Sequence, residues 1–217
     1  MNEKKNLAQQ EIAPLTPSST TPPIRGLSSQ KITYTALFIA LSIAFNTFSK
    51  NTTVNSLSLT YVLNFFAGVF LGPLHGFLAG FFGDMFGFMI NSQGMAYLPL
   101  IGIASGLTGF FPGLVMNNRA LERLYARLKK SQLKIWFKLA QITFSMLLIA
   151  LICTLLINTY AIYSTVGAVS SKYSFAAYVA LRAASQLPIV AANTVIIAAT
   201  YLSFERQLLR IKFKIKQ

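Results

Sequence analysis

The sequence predicts an all-α integral membrane protein, a bundle of six transmembrane helices with both termini cytoplasmic. Three observations carry that expectation. Of 217 residues 54% are hydrophobic and 11% charged, with a mean hydropathy of +0.55, too apolar for an ordinary soluble domain. Six apolar runs approach the roughly 20 residues needed to cross a bilayer. The Lys and Arg residues gather on one side of the resulting topology.

Residues 1–30 are rich in Ser, Thr, Pro and Gln and hold no long apolar core. They read as a disordered polar cytoplasmic tail, neither a secretory signal nor a span. The six-helix membrane domain occupies 31–205, with spans at Ile32–Phe48, Leu57–Leu71, Leu74–Ile90, Leu98–Met116, Ile135–Tyr160 and Phe175–Phe204. Gly72 and Pro73 form the tight turn between the short second and third spans. Merging those two gives a five-span alternative, but its central helix is too long and it separates the basic clusters. Between spans four and five, 119–135 carries Leu121, Leu124 and Leu128 at helical spacing among cations. It reads as a basic amphipathic cytoplasmic helix that lies on lipid or docks a partner subunit. Residues 206–217 form a basic cytoplasmic C-terminal tail.

With six spans, 16 of the 19 Lys and Arg fall on the side of the termini, leaving Lys50, Lys172 and Arg182. That asymmetry places both termini on the cytoplasmic side of a membrane that the chain crosses several times. The net charge of +14 is accounted for by topology and anionic inner-leaflet lipid, so no nucleic-acid partner is expected. The single cysteine, Cys153, lies in an apolar run and excludes an internal disulfide.

In lipid, helices associate by close backbone approach, so small residues at every fourth position mark contact faces. Gly68, Gly72, Gly76 and Gly80 fall at that spacing, and 11 of the 13 glycines lie between Gly68 and Gly113. Spans two to four are therefore expected to pack tightly, with Gly72, Pro73, Gly76 and Gly80 structural. Ala36, Ala40 and Ala44 form a second small-residue stripe on span one, either an internal packing face or a docking surface.

Asp84 sits about ten residues into the third span, roughly 15 Å deep, where a lone carboxylate needs a partner or an aqueous cavity. Arg182 is the basic residue embedded in a span. The two form a structural pair, or Arg182 faces an outward cavity as a fork for a carboxylate or heteroaromatic ring. Asn158, Tyr97, Gln93 and Tyr160 gather at the outer ends of the spans, with Gln186 deeper in the last one. Aromatic walls with amide groups suit a flat polar heterocycle; an interfacial aromatic belt is the alternative for the tyrosines. His75, beside the turn, reads as a surface residue. No GxxxxGK[ST] loop or HExxH motif is present, and one histidine argues against a His-based metal site or triad. The chain is expected to be no enzyme, with no catalytic residues, metal or cofactor of its own.

The segments ALFIALSIAF, LTYVLNFFAGVFLGPLHGFLAGFFGDMFGFMI and AYLPLIGIASGLTGF, with NTYAIYSTVG and YVALRAASQLPIVAANTVI later, resemble the substrate-binding S components of energy-coupling factor (ECF) vitamin transporters, the folate-type family in particular. The resemblance covers Ile32 to about Phe204. It implies a six-helix membrane protein with an extracellular-side pocket for a vitamin such as folate. It implies docking through Ala36, Ala40 and Ala44 on a transmembrane coupling subunit, with two partner ATPases using the ATP. Asn158 and Arg182 match polar positions that look ligand-contacting. Asn64 departs from the family pattern, standing where a proline is frequent, and so does the long N-terminal tail. Other readings are an S component for pantothenate, hydroxymethylpyrimidine or cobalamin, an ion-coupled secondary transporter using Asp84, or a membrane scaffold.

Overall fold

The computed structural model describes residues 29–51, 59–92, 94, 96–128, 130–165 and 171–216. The expected N-terminal tail lies outside the described residues apart from its last two positions, and Gln93 lies outside them altogether. Among the described residues the architecture is all-helical: α1 (Ser29–Asn51), α2 (Leu59–Leu71), α3 (Pro73–Ile90), α4 (Pro99–Met116), α5 (Arg119–Arg127), α6 (Ser131–Leu148), a π-helical segment (Ile149–Asn158), α7 (Thr159–Thr165) and α8 (Phe175–Lys216). Among the described residues four stretches are long and apolar enough to cross a membrane, Pro73–Ile90, Pro99–Met116, Gln132–Thr165 and Phe175–Ser203, and Leu59–Leu71 is a shorter apolar helix.

The break between α2 and α3 follows from local chemistry. Gly72 takes φ +97, a left-handed conformation that an L side chain rarely adopts, and Pro73 opens α3 at the position where its missing N–H costs nothing. The Gly72 N–H still reaches the Gly68 carbonyl at 3.0 Å, closing α2. α2, α3 and α4 then approach so closely that glycine backbone meets glycine backbone. A Cβ on Gly76 would lie 2.6 Å from the Gly68 Cα and 2.7 Å from the Gly109 oxygen, and one on Gly113 would lie 2.6 Å from the Pro73 Cα. Only backbone lies in the way at these points, so no rotamer change relieves the collision. Gly83 and Gly87 lie against α1, where an added Cβ would meet the Ser42 and Asn46 side chains.

The apolar core lies on the other side of α2. Phe65, Phe66 and Val69 pack there with Ile142 and Met146 of α6, Ile149 and Cys153 of the π segment, and Val190, Ile197 and Tyr201 of α8. α8 meets α2, α6, the π segment and α7.

Two local features differ from the sequence expectation. The amphipathic segment 119–135 is not one helix: α5 ends at Arg127 and α6 begins at Ser131, with Leu128 and Lys130 extended between them. The elbow lets Tyr125 fold back onto Phe137, 6.1 Å between centroids, and lets the Lys138 ammonium sit 4.6 Å over the Tyr125 ring, contacts that a straight helix precludes. His75 is buried, because its face of α3 turns inward toward the start of α1, near Lys31. The C-terminal basic segment continues α8 as helix to Lys216.

Candidate functional site: a polar cavity between α1–α4 and the π segment

A cavity of about 100 Å³ is lined by Asn46 of α1, Thr60, Tyr61 and Asn64 of α2, Asp84 of α3, Ser105 and Thr108 of α4, and Asn158 at the end of the π segment. These positions share the half of the bundle away from the Gly72 turn and from α5. Polar residues from five elements therefore converge inside an apolar protein, where each needs a hydrogen-bond partner.

Asn64 organises the wall. It is 2% exposed. Its Nδ2 donates to Thr108 Oγ1 at 2.8 Å and to the Ser105 carbonyl at 3.3 Å, while its Oδ1 accepts from Ser42 Oγ at 3.4 Å. Thr108 in turn donates to the Ser105 carbonyl at 2.6 Å. One amide thus ties α2 to α1 and to α4, which explains a mid-span asparagine in a position where proline has no side-chain donor. The Tyr61 hydroxyl pairs with Thr154 Oγ1 at 3.1 Å, joining α2 to the π segment. The π geometry also appears in the Thr159 hydroxyl donating back five residues to the Thr154 carbonyl at 3.2 Å. Such widened turns are rare and recur at functional sites. This one ends on Asn158, whose Oδ1 is buried and makes no hydrogen bond.

The sequence-nominated binding residues distribute unevenly. Asn158 lines the cavity. Arg182 does not: its guanidinium lies 6.0 Å over the Tyr178 ring, and its buried Nε makes no hydrogen bond. Tyr97 packs on Phe88, 5.2 Å between centroids, with its hydroxyl against Gly102. That hydroxyl is buried and unpartnered; burial pushes the phenol pKa up, and the Asp84 carboxylate adds to the rise. Tyr160 is 56% exposed and Gln186 half-buried. Asp84, nominated as a structural anchor, stands on the cavity wall.

Asn46, Thr60, Tyr61, Asn64, Ser105 and Thr108 were not nominated. The signal available for them was a polar residue inside each apolar run, with Ser105 and Thr108 three apart on one face of α4. Among the described residues no group of three His, Cys, Asp or Glu is placed to hold a metal ion. The site is a set of neutral donors and acceptors with one carboxylate, suited to hydrogen-bonding a heterocycle edge.

Ala36, Ala40 and Ala44 all lie on the exposed side of α1, flanked by Ile32, Leu37 and Leu41, while Thr35 and Ser42 face inward. The inner face of α1 is thus made of other residues.

A family model described as "ECF-type riboflavin transporter, S component" matches residues 26–203. Comparison with curated proteins gives no match.

Proposed function

The chain belongs to the ECF-type riboflavin transporter S-component family, and from that premise we propose that it captures a flat heteroaromatic vitamin, riboflavin in the first place, at the polar cavity. The family is one of transporter subunits rather than enzymes, and its members work with a coupling subunit and ATPases. The observation that carries the ligand class is the convergence of Asn46, Asn64 and Asn158 with Asp84 on one cavity, the Asn158 Oδ1 being unpartnered.

The chemistry separates two vitamins. The pyrimidine edge of an isoalloxazine presents two carbonyls around one N–H, which amides answer with both a donor and an acceptor. The pterin of folate presents an N–H beside an amino group, which a carboxylate receives in a bidentate fashion. Two amides, Asn46 and Asn158, against one carboxylate favour the flavin, Asn64 being engaged with Ser42, Ser105 and Thr108, with folate as the competing ligand. A cavity of about 100 Å³ is below the roughly 300 Å³ of an ordinary ligand pocket. It takes the edge of the ring, and the remainder of the vitamin lies toward Tyr97 and the start of α8, where Arg182 and the outer tyrosines stand.

The topology proposed with this function has six spans and cytoplasmic termini, supported by the distribution of Lys and Arg. The vitamin enters from the opposite side. Ala36, Ala40 and Ala44 form the face on which a coupling subunit docks, supported by their exposure and by the close approach that small side chains permit.

Uptake of labelled riboflavin in proteoliposomes tests the assignment. Transport is expected only when the chain is combined with a coupling subunit, two ATPases and ATP. Ala40→Trp is expected to abolish uptake while leaving ligand binding intact. Uptake by the chain alone under an ion gradient contradicts the assignment and supports a secondary transporter working through Asp84.

A further inference from the structure

Two features that bend helices stand opposite each other in the bundle. The helical stretch Gln132–Thr165 widens to π geometry at Ile149–Asn158, and α8 carries Pro188 in its interior. A proline has no N–H to give, so the Ala184 carbonyl loses its helical donor. Helices bend at prolines and at π turns. Val190, two residues past Pro188, shares the apolar core with Ala150 and Cys153 of the π segment. The two weak points therefore lie at one depth.

Packing changes at Pro188. On its far side α8 sends Val190, Asn193, Ile197 and Tyr201 into the bundle, none more than 8% exposed. Across residues 175–187 only Tyr178 is buried, while Phe175, Leu181 and Leu187 are exposed. The ring contacts of this outer segment run to α7. Tyr163 stands edge-on to Phe175 at 5.3 Å and beside Tyr178 at 6.0 Å between centroids, and its hydroxyl donates to the Tyr173 carbonyl at 3.2 Å. α7 itself packs on α8 and on the π segment that it continues, with Tyr160, Ser164 and Thr165 exposed. The outer turns of the two helices are thus joined to each other more firmly than to the frame.

We propose that α7 and residues 175–187 of α8 form one lever, clamped by Tyr163, that turns about the π segment and Pro188. The lever carries Arg182, whose buried Nε makes no hydrogen bond, and borders Asn158, whose Oδ1 makes none. An inward turn brings Arg182 toward the polar cavity that Asn158 lines, where a ligand supplies partners to both. Closure onto a vitamin rests on the proposed ligand site; the hinge itself does not.

Hydrogen exchange of the purified full chain in lipid nanodiscs, followed by mass spectrometry, tests the lever without any ligand. Residues 175–187 and α7 are expected to exchange about tenfold faster than residues 99–108, the turns of α4 at the same end of the bundle, a difference in local opening worth one hydrogen bond. Pro188→Ala returns a donor to the Ala184 carbonyl and is expected to slow both segments together, by about tenfold. Exchange no faster than in α4 overturns the proposal, as does a Pro188→Ala chain in which neither segment slows. Slowing of residues 175–187 alone overturns the shared lever. Saturating riboflavin is expected to slow both segments, and saturable binding without slowing overturns the closure. Absence of saturable binding counts against the ligand assignment instead, and the vitamin-free exchange then decides the hinge.

Discussion

The bundle has two halves built on different principles. Where α2, α3 and α4 meet, backbone lies on backbone and the seam asparagines are engaged: Asn64 bridges to Ser42, Ser105 and Thr108, and the Asn117 amide donates to the Gly68 and Val69 carbonyls at 3.2 Å each, while His75 Nε2 of α3 and the Tyr97 hydroxyl just before α4 stay buried without a hydrogen bond. Where the π segment and α8 meet the rest, large apolar side chains fill the core and polar atoms are left without hydrogen bonds. Asn158 Oδ1, Arg182 Nε and both amide atoms of the 1% exposed Asn193 are of this kind. In a membrane an unmet polar atom costs more than one wetted by solvent. The first half is therefore read as a rigid frame and the second as the receptive side, whose unmet groups gain partners when ligand arrives.

Substitutions sharpen that contrast, beginning with the largest expected effect. Gly68→Leu places a side chain into the Gly109 carbonyl and within 2.9 Å of the Gly113 nitrogen. Overpacking against mobile side chains costs about 1–3 kcal/mol, and a backbone obstacle cannot move aside, so the variant is expected to lose the folded state. Thermal melting of the detergent-solubilised chain checks it, and a near-normal melting temperature removes the frame from the account. Asn64→Leu deletes bonds to α1 and α4 while Thr108 keeps its Ser105 partner; a loss of about 1–3 kcal/mol is expected in the same assay.

The receptive half is expected to answer differently. Asn158→Ala and Arg182→Ala each remove a buried polar atom that makes no hydrogen bond in the unliganded chain. Melting temperatures are expected to hold or rise slightly, while vitamin affinity falls about tenfold, roughly the 1.4 kcal/mol of one hydrogen bond to ligand. Parallel losses of stability and affinity break the distinction between the halves. The smallest effect is expected at Gly94→Ala, where φ is +76 and nothing lies within 4 Å of the added methyl. Backbone strain of about 1 kcal/mol is the whole cost there, read as a slight shift in melting temperature.

Much of the frame was legible in the sequence because its signals are local. Gly72 and Pro73 punctuate an apolar run, and glycines four apart mark a face whatever it packs against. The inward wall of the cavity was harder to read. Asn46, Asn64 and Thr108 become neighbours only through the packing of three helices, and Asn64 alone reads as a departure rather than as the hub it is. The π segment was not legible either: IALICTLLIN is apolar on every side, so a period of 3.6 residues and a wider one leave the same pattern. The break at Leu128–Lys130 escaped because Leu121, Leu124 and Leu128 continue a helical spacing into α6, and the fold of Tyr125 onto Phe137 is a tertiary contact that overrides it.

The central claim is tested most directly by titrating the purified full chain with riboflavin and following flavin fluorescence, with folate, pantothenate and a hydroxymethylpyrimidine as competitors. The account predicts saturable binding of one flavin per chain, weakened about tenfold by Asn158→Ala and displaced more readily by folate than by the non-aromatic pantothenate. Saturable binding by none of these compounds contradicts it.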